Sequence, residues 1–265
     1  MTGEASPRSK RRWLLVIPVA IVVAVVAAVA WWLLRDDAPA EVNLDDAVAQ
    51  VTSTVAPTSS APRAEPTGTT TPAERPVPAT GVAGTWSVDT SIGEFSYADS
   101  TGTFVGFRVR EELAGIGEID AVGRTPEVQG ALTIDGTTVT TVEVVADLAV
   151  LTTDDSRRDG KVRGALGTSD FPTATFRLTE PIDLGAIADA GEPVAVDAVG
   201  ELTIRDVTRP VTFPLEARLV DDIVVVVGSL RIEFADYGVQ VPTAPIVLSA
   251  DDFGDIELQL FFRRS

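Results

Sequence analysis

The chain has 265 residues and a formal net charge of −18, and it contains neither Cys nor His. Their absence excludes a disulfide framework, a lipidated or nucleophilic Cys, a Ser-His-Asp triad and the usual structural zinc sites. Nucleic acid is an unfavourable partner, because its binding depends on Lys and Arg that neutralise phosphates. Carboxylate chemistry, hard-metal sites and simple binding remain open.

An apolar run without a single charge occupies residues 13–34, WLLVIPVAIVVAVVAAVAWWLL. A helix of this length covers about 33 Å, the thickness of a bilayer core. Trp residues stand at both ends, and the basic cluster at 10–12 predicts a cytoplasmic N-terminus. We predict a cytoplasmic basic tail at 1–12, a transmembrane helix at 13–34 and an extracytoplasmic remainder. A cleaved signal peptide is the alternative, since residues 28–30 read AVA, but the apolar run continues beyond them.

Residues 35–82 are rich in Pro, Thr and Ala and show no sustained periodicity. Such a composition buries too little apolar area to offset the entropy of ordering. It predicts a disordered linker that holds the following domain clear of the membrane, with at most a transient helix near residues 45–48.

Apolar and polar residues alternate from residue 84 onwards, which predicts strands with one buried face. The clearest cases are 142–150, 194–205, 211–219, 230–234 and 256–262. Turns are predicted at 135–136, 209–210, 221–222 and 236–238, and only 154–169 resembles a short helix. These connections are too short for crossover helices, so the strands pair antiparallel. Periodicity alone leaves a closed barrel and a two-sheet sandwich equally open.

Several segments resemble the motifs of the YceI-like family, in the same order and at similar spacing. They are WSVD at 86–89, TDDSRRDGKVR at 153–163, FPTATF at 171–176, GELTIRDVTRPV at 200–211 and FADYGV at 234–239. The resemblance covers residues 83–265. It implies an all-β domain, an eight-stranded antiparallel lipocalin-like barrel whose apolar lumen holds a long isoprenoid or a similar lipid.

The chain departs from the family pattern at three places. Residues 94–98 contain no His, Lys161 replaces a frequent family His, and Asp206 replaces a motif Gly. Any role of those histidines in the family therefore does not transfer to this chain.

The candidate ligand-binding residues are apolar positions on the predicted inner faces: Val144, Leu148, Phe176, Leu202, Ile204, Phe213 and Leu215. Arg158 and Asp159 are candidates for contact with a lipid head group at the barrel mouth, and structural hydrogen bonding is the competing interpretation of this pair. The acidic residues around them lack the alternating oxygen ligands of a calcium loop. We predict no metal site, no catalytic residue and no cofactor.

Three functions remain, from different classes. The first is a membrane-anchored module that binds an isoprenoid-type lipid by hydrophobic burial. The second is an interaction domain whose barrel is filled by its own side chains. The third is a carboxylate-pair enzyme such as a glycosidase, which is disfavoured because most acidic residues lie in turns or on solvated strand faces.

Overall fold

The computed structural model describes residues 38–54, 81–185, 191–242 and 244–265. The predicted transmembrane helix at 13–34 lies outside these residues. None of the helices in the described ranges is long and apolar enough to cross a membrane. Two α-helices are present in those ranges, α1 (Leu44–Thr54) and α2 (Ser156–Leu166), and a 3₁₀ turn covers Phe234–Tyr237.

The strands of the described residues form one antiparallel sheet. They are β1 (Gly84–Val88), β2 (Phe104–Leu113), β3 (Gly117–Thr125), β4 (Val128–Asp135), β5 (Thr138–Asp147), β6 (Thr152–Thr153), β7 (Thr173–Leu178), β8 (Ile182–Asp183), β9 (Val194–Ile204), β10 (Val207–Val220), β11 (Ile223–Glu233), β12 (Val247–Ala250) and β13 (Phe253–Arg264).

Eight of these strands close into a ring in the order β1-β4-β5-β7-β9-β10-β11-β13, and the pairing of β13 with β1 completes it. The hairpin β2–β3 extends the sheet from the first half of β13, where Ile256 pairs with Phe107. The predicted all-β, eight-stranded antiparallel barrel is therefore confirmed. Closure settles the choice between barrel and sandwich that periodicity left open, and it removes the exposed edges of an open sheet.

The predicted turn at 209–210 is wrong. The β9–β10 turn lies at Arg205 and Asp206, and Arg205 adopts a left-handed backbone with φ 60°. Pro210 instead lies within β10 and pairs with Glu201. A proline is tolerated there because the pairing of β10 with β11 begins only at Leu215, so the first half of β10 has one free edge.

Helix α1 corrects the prediction that residues 35–82 form a disordered linker. The Asn43 side chain caps it by accepting the backbone N–H of Asp45 at 2.9 Å. Leu44, Ala47 and Val51 lie on one face and are buried against the outer surface of the barrel. The helix is stable there because the barrel covers its apolar face, which a short helix in water lacks.

A cluster of charged residues is buried beneath the segment that precedes α1. Glu257 accepts hydrogen bonds from Arg108 Nε at 2.8 Å and from Arg124 Nη2 at 3.4 Å. The same two guanidinium groups donate to the backbone carbonyls of Pro39 at 2.7 Å and Ala40 at 2.8 Å. We call residues 38–54 the strap, because these contacts and α1 fasten it to the barrel wall.

Candidate ligand-binding cavity

The ring encloses a cavity of about 530 Å³. Its walls come from the inward-facing positions of the ring strands and from β2, because alternate residues of a strand point to the same side. At the deep end the cavity is lined by apolar side chains, among them Leu132, Ile134, Val139, Ile182 and Leu184. A void of this size exceeds the small gaps of a packed protein core, so the interior is not filled by its own side chains.

All seven apolar residues singled out from the sequence lie on the cavity wall: Val144, Leu148, Phe176, Leu202, Ile204, Phe213 and Leu215. Two of them, Phe176 and Phe213, pack edge to face with their ring centroids 6.1 Å apart. Their arrangement follows from register, since Phe176 pairs with Leu202 and Leu215 with Val196 across neighbouring strands. The ligand-binding role of these seven residues stays a prediction.

The seven candidates included no residue of β11 or β13, although the alternation at 230–234 and 256–262 predicted part of the inner face of each strand. Val224 and Val226 face the cavity, whereas Val225 and Val227 pack on the outer side against the cluster around α1. Because both faces of the strand are covered at residues 223–227, this stretch is a continuous apolar run, and no alternation identifies its inner face. Leu260 of β13 also lines the cavity.

The charged residues that line the cavity all lie at one end of the barrel, beside α2 and residues 239–242 and 244–247, and we call this end the mouth. They are Glu111, Asp155, Arg157, Arg158 and Lys161. Arg158 lines the cavity and bridges the barrel and the helix, pairing with Glu111 at 3.5 Å and with Asp154. Burial raises the pKa of the Glu111 carboxyl, although the charge of Arg158 opposes that rise. Arg157 and Lys161 also border the opening and are exposed.

Asp159, the second predicted head-group residue, is not among the residues that line the cavity. Its Oδ1 accepts the Thr153 backbone N–H at 2.6 Å and the Thr153 hydroxyl at 2.7 Å. These bonds join the first turn of α2 to β6. Asp159 therefore makes structural hydrogen bonds, as the competing interpretation of the Arg158–Asp159 pair expects.

Tyr237 adds a polar group that sequence reasoning did not assign to the site. It lines the cavity from the 3₁₀ turn and is 2% exposed, packed with Leu202, Ile204 and Ile232. Its hydroxyl oxygen is buried and has no hydrogen-bond partner among the described residues. Burial raises the pKa of the hydroxyl, with the charge of Asp236 adding to the rise. The group therefore stays a neutral donor in an otherwise apolar region.

Comparison with solved structures finds proteins of similar fold. The polyisoprenoid binding domain from Saccharophagus degradans implicated in plant cell wall breakdown is 20% identical, with a TM-score of 0.51 over 69% of this chain and 100% of that one. BcnA of Burkholderia cenocepacia is 18% identical, with a TM-score of 0.48 over 66% of this chain and 98% of that one. The YceI protein of Campylobacter jejuni is 17% identical, with a TM-score of 0.44 over 54% and 84%.

No curated protein matches the chain. The sequence model of the YceI-like domain matches residues 97–262, which is more than half of the chain. This range contains four of the five motifs noted in the sequence, together with every residue that lines the cavity. The chain therefore belongs to the YceI-like family.

Proposed function

We propose that the protein is a membrane-anchored, extracytoplasmic binding protein that holds a long-chain isoprenoid or a similar lipid in its barrel. The observation that carries the proposal is the cavity, with its apolar deep end and its charged mouth. A lipid with a hydrocarbon tail and a polar head group matches this distribution, with the tail at the deep end and the head near Arg158.

Hydrophobic burial supplies enough free energy for such a complex. At about 25 cal/mol per Å², burying roughly 300 Å² of hydrocarbon contributes about 7 kcal/mol before the costs of association. The description of the S. degradans domain as polyisoprenoid binding supports the same ligand class for this member of the family. We assign the protein neither a catalytic step nor a cofactor.

The proposed location rests on the sequence of residues 13–34 and their basic flank. A single pass with a cytoplasmic N-terminus puts the barrel on the outer side of the cell membrane. There the barrel has direct access to membrane lipids as ligands.

The alternative function, an interaction domain with a side-chain-filled barrel, predicts no sizeable cavity. An open volume of about 530 Å³ argues against it.

Native mass spectrometry of the full chain purified from membranes, with organic extraction in parallel, tests the proposal. We expect a discrete added mass that extracts as a lipid. Ala146 lines the cavity whereas Ala131 is exposed on the outer face of β4, so Ala146→Trp should lower the lipid occupancy and Ala131→Trp should not. A bare protein that stays bare after incubation with polyprenyl lipids contradicts the proposal.

A further inference from the structure

Three large apolar side chains are exposed beside the cavity opening. Ile116, Ile246 and Leu248 are 42%, 49% and 63% exposed. They belong to two adjacent segments, since the backbone N–H of Ala114 donates to the carbonyl of Ile246 at 2.8 Å and Val247 pairs with Leu113. Ile246, Leu113 and Val247 also line the cavity. We call Ile116, Ile246 and Leu248 the mouth rim.

The strap limits how far the barrel can lie from the predicted membrane segment. Residues 35–37 alone separate position 34 from Ala38, and these four Cα–Cα steps span at most about 14 Å. Pro39 is already held on the barrel by Arg108 at 2.7 Å. The Pro- and Thr-rich residues 55–80 follow α1 in the chain, so they do not separate the membrane segment from the barrel. With residues 38–54 held on the barrel, residues 35–37 are what remains as a spacer to the predicted membrane segment, which is much shorter than the stalk expected from 35–82.

The attachment point lies near the mouth rim. Arg108 is on β2, and five residues further along the same strand is Leu113, at the cavity opening. At ~3.3–3.4 Å per residue this separation is about 17 Å. A tether of about 14 Å therefore allows the barrel to tilt its open end onto the bilayer surface.

The charge at the mouth opposes contact with anionic lipids less than the net charge of the whole chain does. The protein is strongly acidic overall, yet α2 at the mouth carries four basic residues and one acidic residue over Ser156–Leu166, with Asp154 and Asp155 just before it. Arg158 pairs with Glu111 and Asp154, and Arg157 lies 3.8 Å from Asp155, so the charges around α2 are close to balanced. A balanced surface is repelled by anionic lipids less than a strongly acidic one is.

From these observations we propose that the mouth rim rests on the bilayer that holds the chain's own membrane segment. The lipid then passes between the bilayer and the cavity without crossing water. This inference rests on the proposed function, because it requires both the anchor and a lipid ligand.

Fluorescence labelling of the full chain in phosphatidylcholine–phosphatidylglycerol vesicles tests the docking. The chain has no Cys, so Leu248→Cys introduces a unique site for an environment-sensitive fluorophore. Asp135→Cys, at the exposed β4–β5 turn of the opposite end, is the matched control. We expect a blue shift and loss of quenching by aqueous iodide at position 248 only. Equal quenching at the two positions in vesicle-bound protein overturns the proposal.

A second measurement separates docking from ligand binding. Leu248→Asp should slow lipid exchange between vesicles and protein by about tenfold or more, because it removes an apolar contact worth at least 1.4 kcal/mol. Thr140→Asp, an exposed change on β5, should leave exchange unchanged. If lipid is extracted from the protein but iodide quenches the fluorophore at position 248, the docking is refuted and the binding function stands. A chain that alkaline carbonate strips from vesicles refutes the anchor and the docking with it.

Discussion

Replacing Tyr237 with Phe should raise the stability of the empty protein and lower its affinity for lipid, and the two effects together test the cavity. In the empty protein the Tyr237 hydroxyl is buried without a hydrogen-bond partner among the described residues. Burying such a group costs about 1–3 kcal/mol, which Tyr237→Phe removes while keeping the ring in its contacts. One kcal/mol corresponds to about 2–4 °C in a domain of this size, so the empty variant should unfold roughly 2–12 °C above the wild type.

The same substitution should weaken lipid binding. A ligand whose polar group reaches the Tyr237 hydroxyl gains a hydrogen bond worth about 0.5–1.5 kcal/mol, so Tyr237→Phe should bind about two- to tenfold more weakly. Thermal unfolding of the detergent-solubilised full chain, followed by circular dichroism before and after lipid extraction, measures the first effect. Titration of the extracted protein with the recovered lipid measures the second.

Tyr97 is a matched control for this experiment. Its hydroxyl donates to the Val122 carbonyl at 2.9 Å, so Tyr97→Phe loses a bond and should lower the unfolding temperature. An empty Tyr237→Phe protein that unfolds below the wild type, as Tyr97→Phe does, refutes the reasoning, because it shows that the Tyr237 hydroxyl already has a partner.

The other predictions concern the barrel wall, the strap and α2. Glu257→Gln leaves the buried Arg124 guanidinium without its counter-charge; we expect a loss of about 3–5 kcal/mol, seen as a fall of roughly 6–20 °C in the unfolding temperature. Val51→Asp puts a carboxylate into the buried face of α1 and should expose the strap to limited proteolysis, whereas Ala49→Asp on the exposed face should not. Gly160→Ala should stabilise the protein by about 0.5–1 kcal/mol in urea unfolding, because α2 leaves open space there; a loss of stability would contradict this expectation.

The strands and their inner faces were predictable from the sequence, because alternation specifies which residues share a side. Val144, Leu202 and Leu215 lie on the cavity wall for this reason. Closure of the sheet into a barrel could not be predicted from the pattern of any single strand. That prediction came from the resemblance to the YceI-like family. The cavity volume was equally out of reach, since it depends on how far the opposing side chains extend.

The strap was missed because its physical support lies elsewhere in the chain. Eleven residues rich in Ala, Asp and Thr make a marginal helix in isolation. The complementary signal was present in β11, where the outer positions Ile223, Val225 and Val227 are apolar although an outer strand face is normally solvated. Glu257, a polar position of the predicted strand 256–262, was expected on a solvated face, whereas it is buried beneath the strap together with Arg108.

Burying charges under the strap gives that contact a specificity that apolar packing alone lacks. A buried ion pair contributes little net stability compared with a well-packed apolar pair. It demands defined partners, however, and here Arg108 and Arg124 find them in the carbonyls of Pro39 and Ala40. A shift of the strap by one residue would separate these groups while α1 remained apolar on one face. We infer that the cluster fixes the point at which the chain leaves the barrel wall, and with it the length of chain between the barrel and the predicted membrane segment.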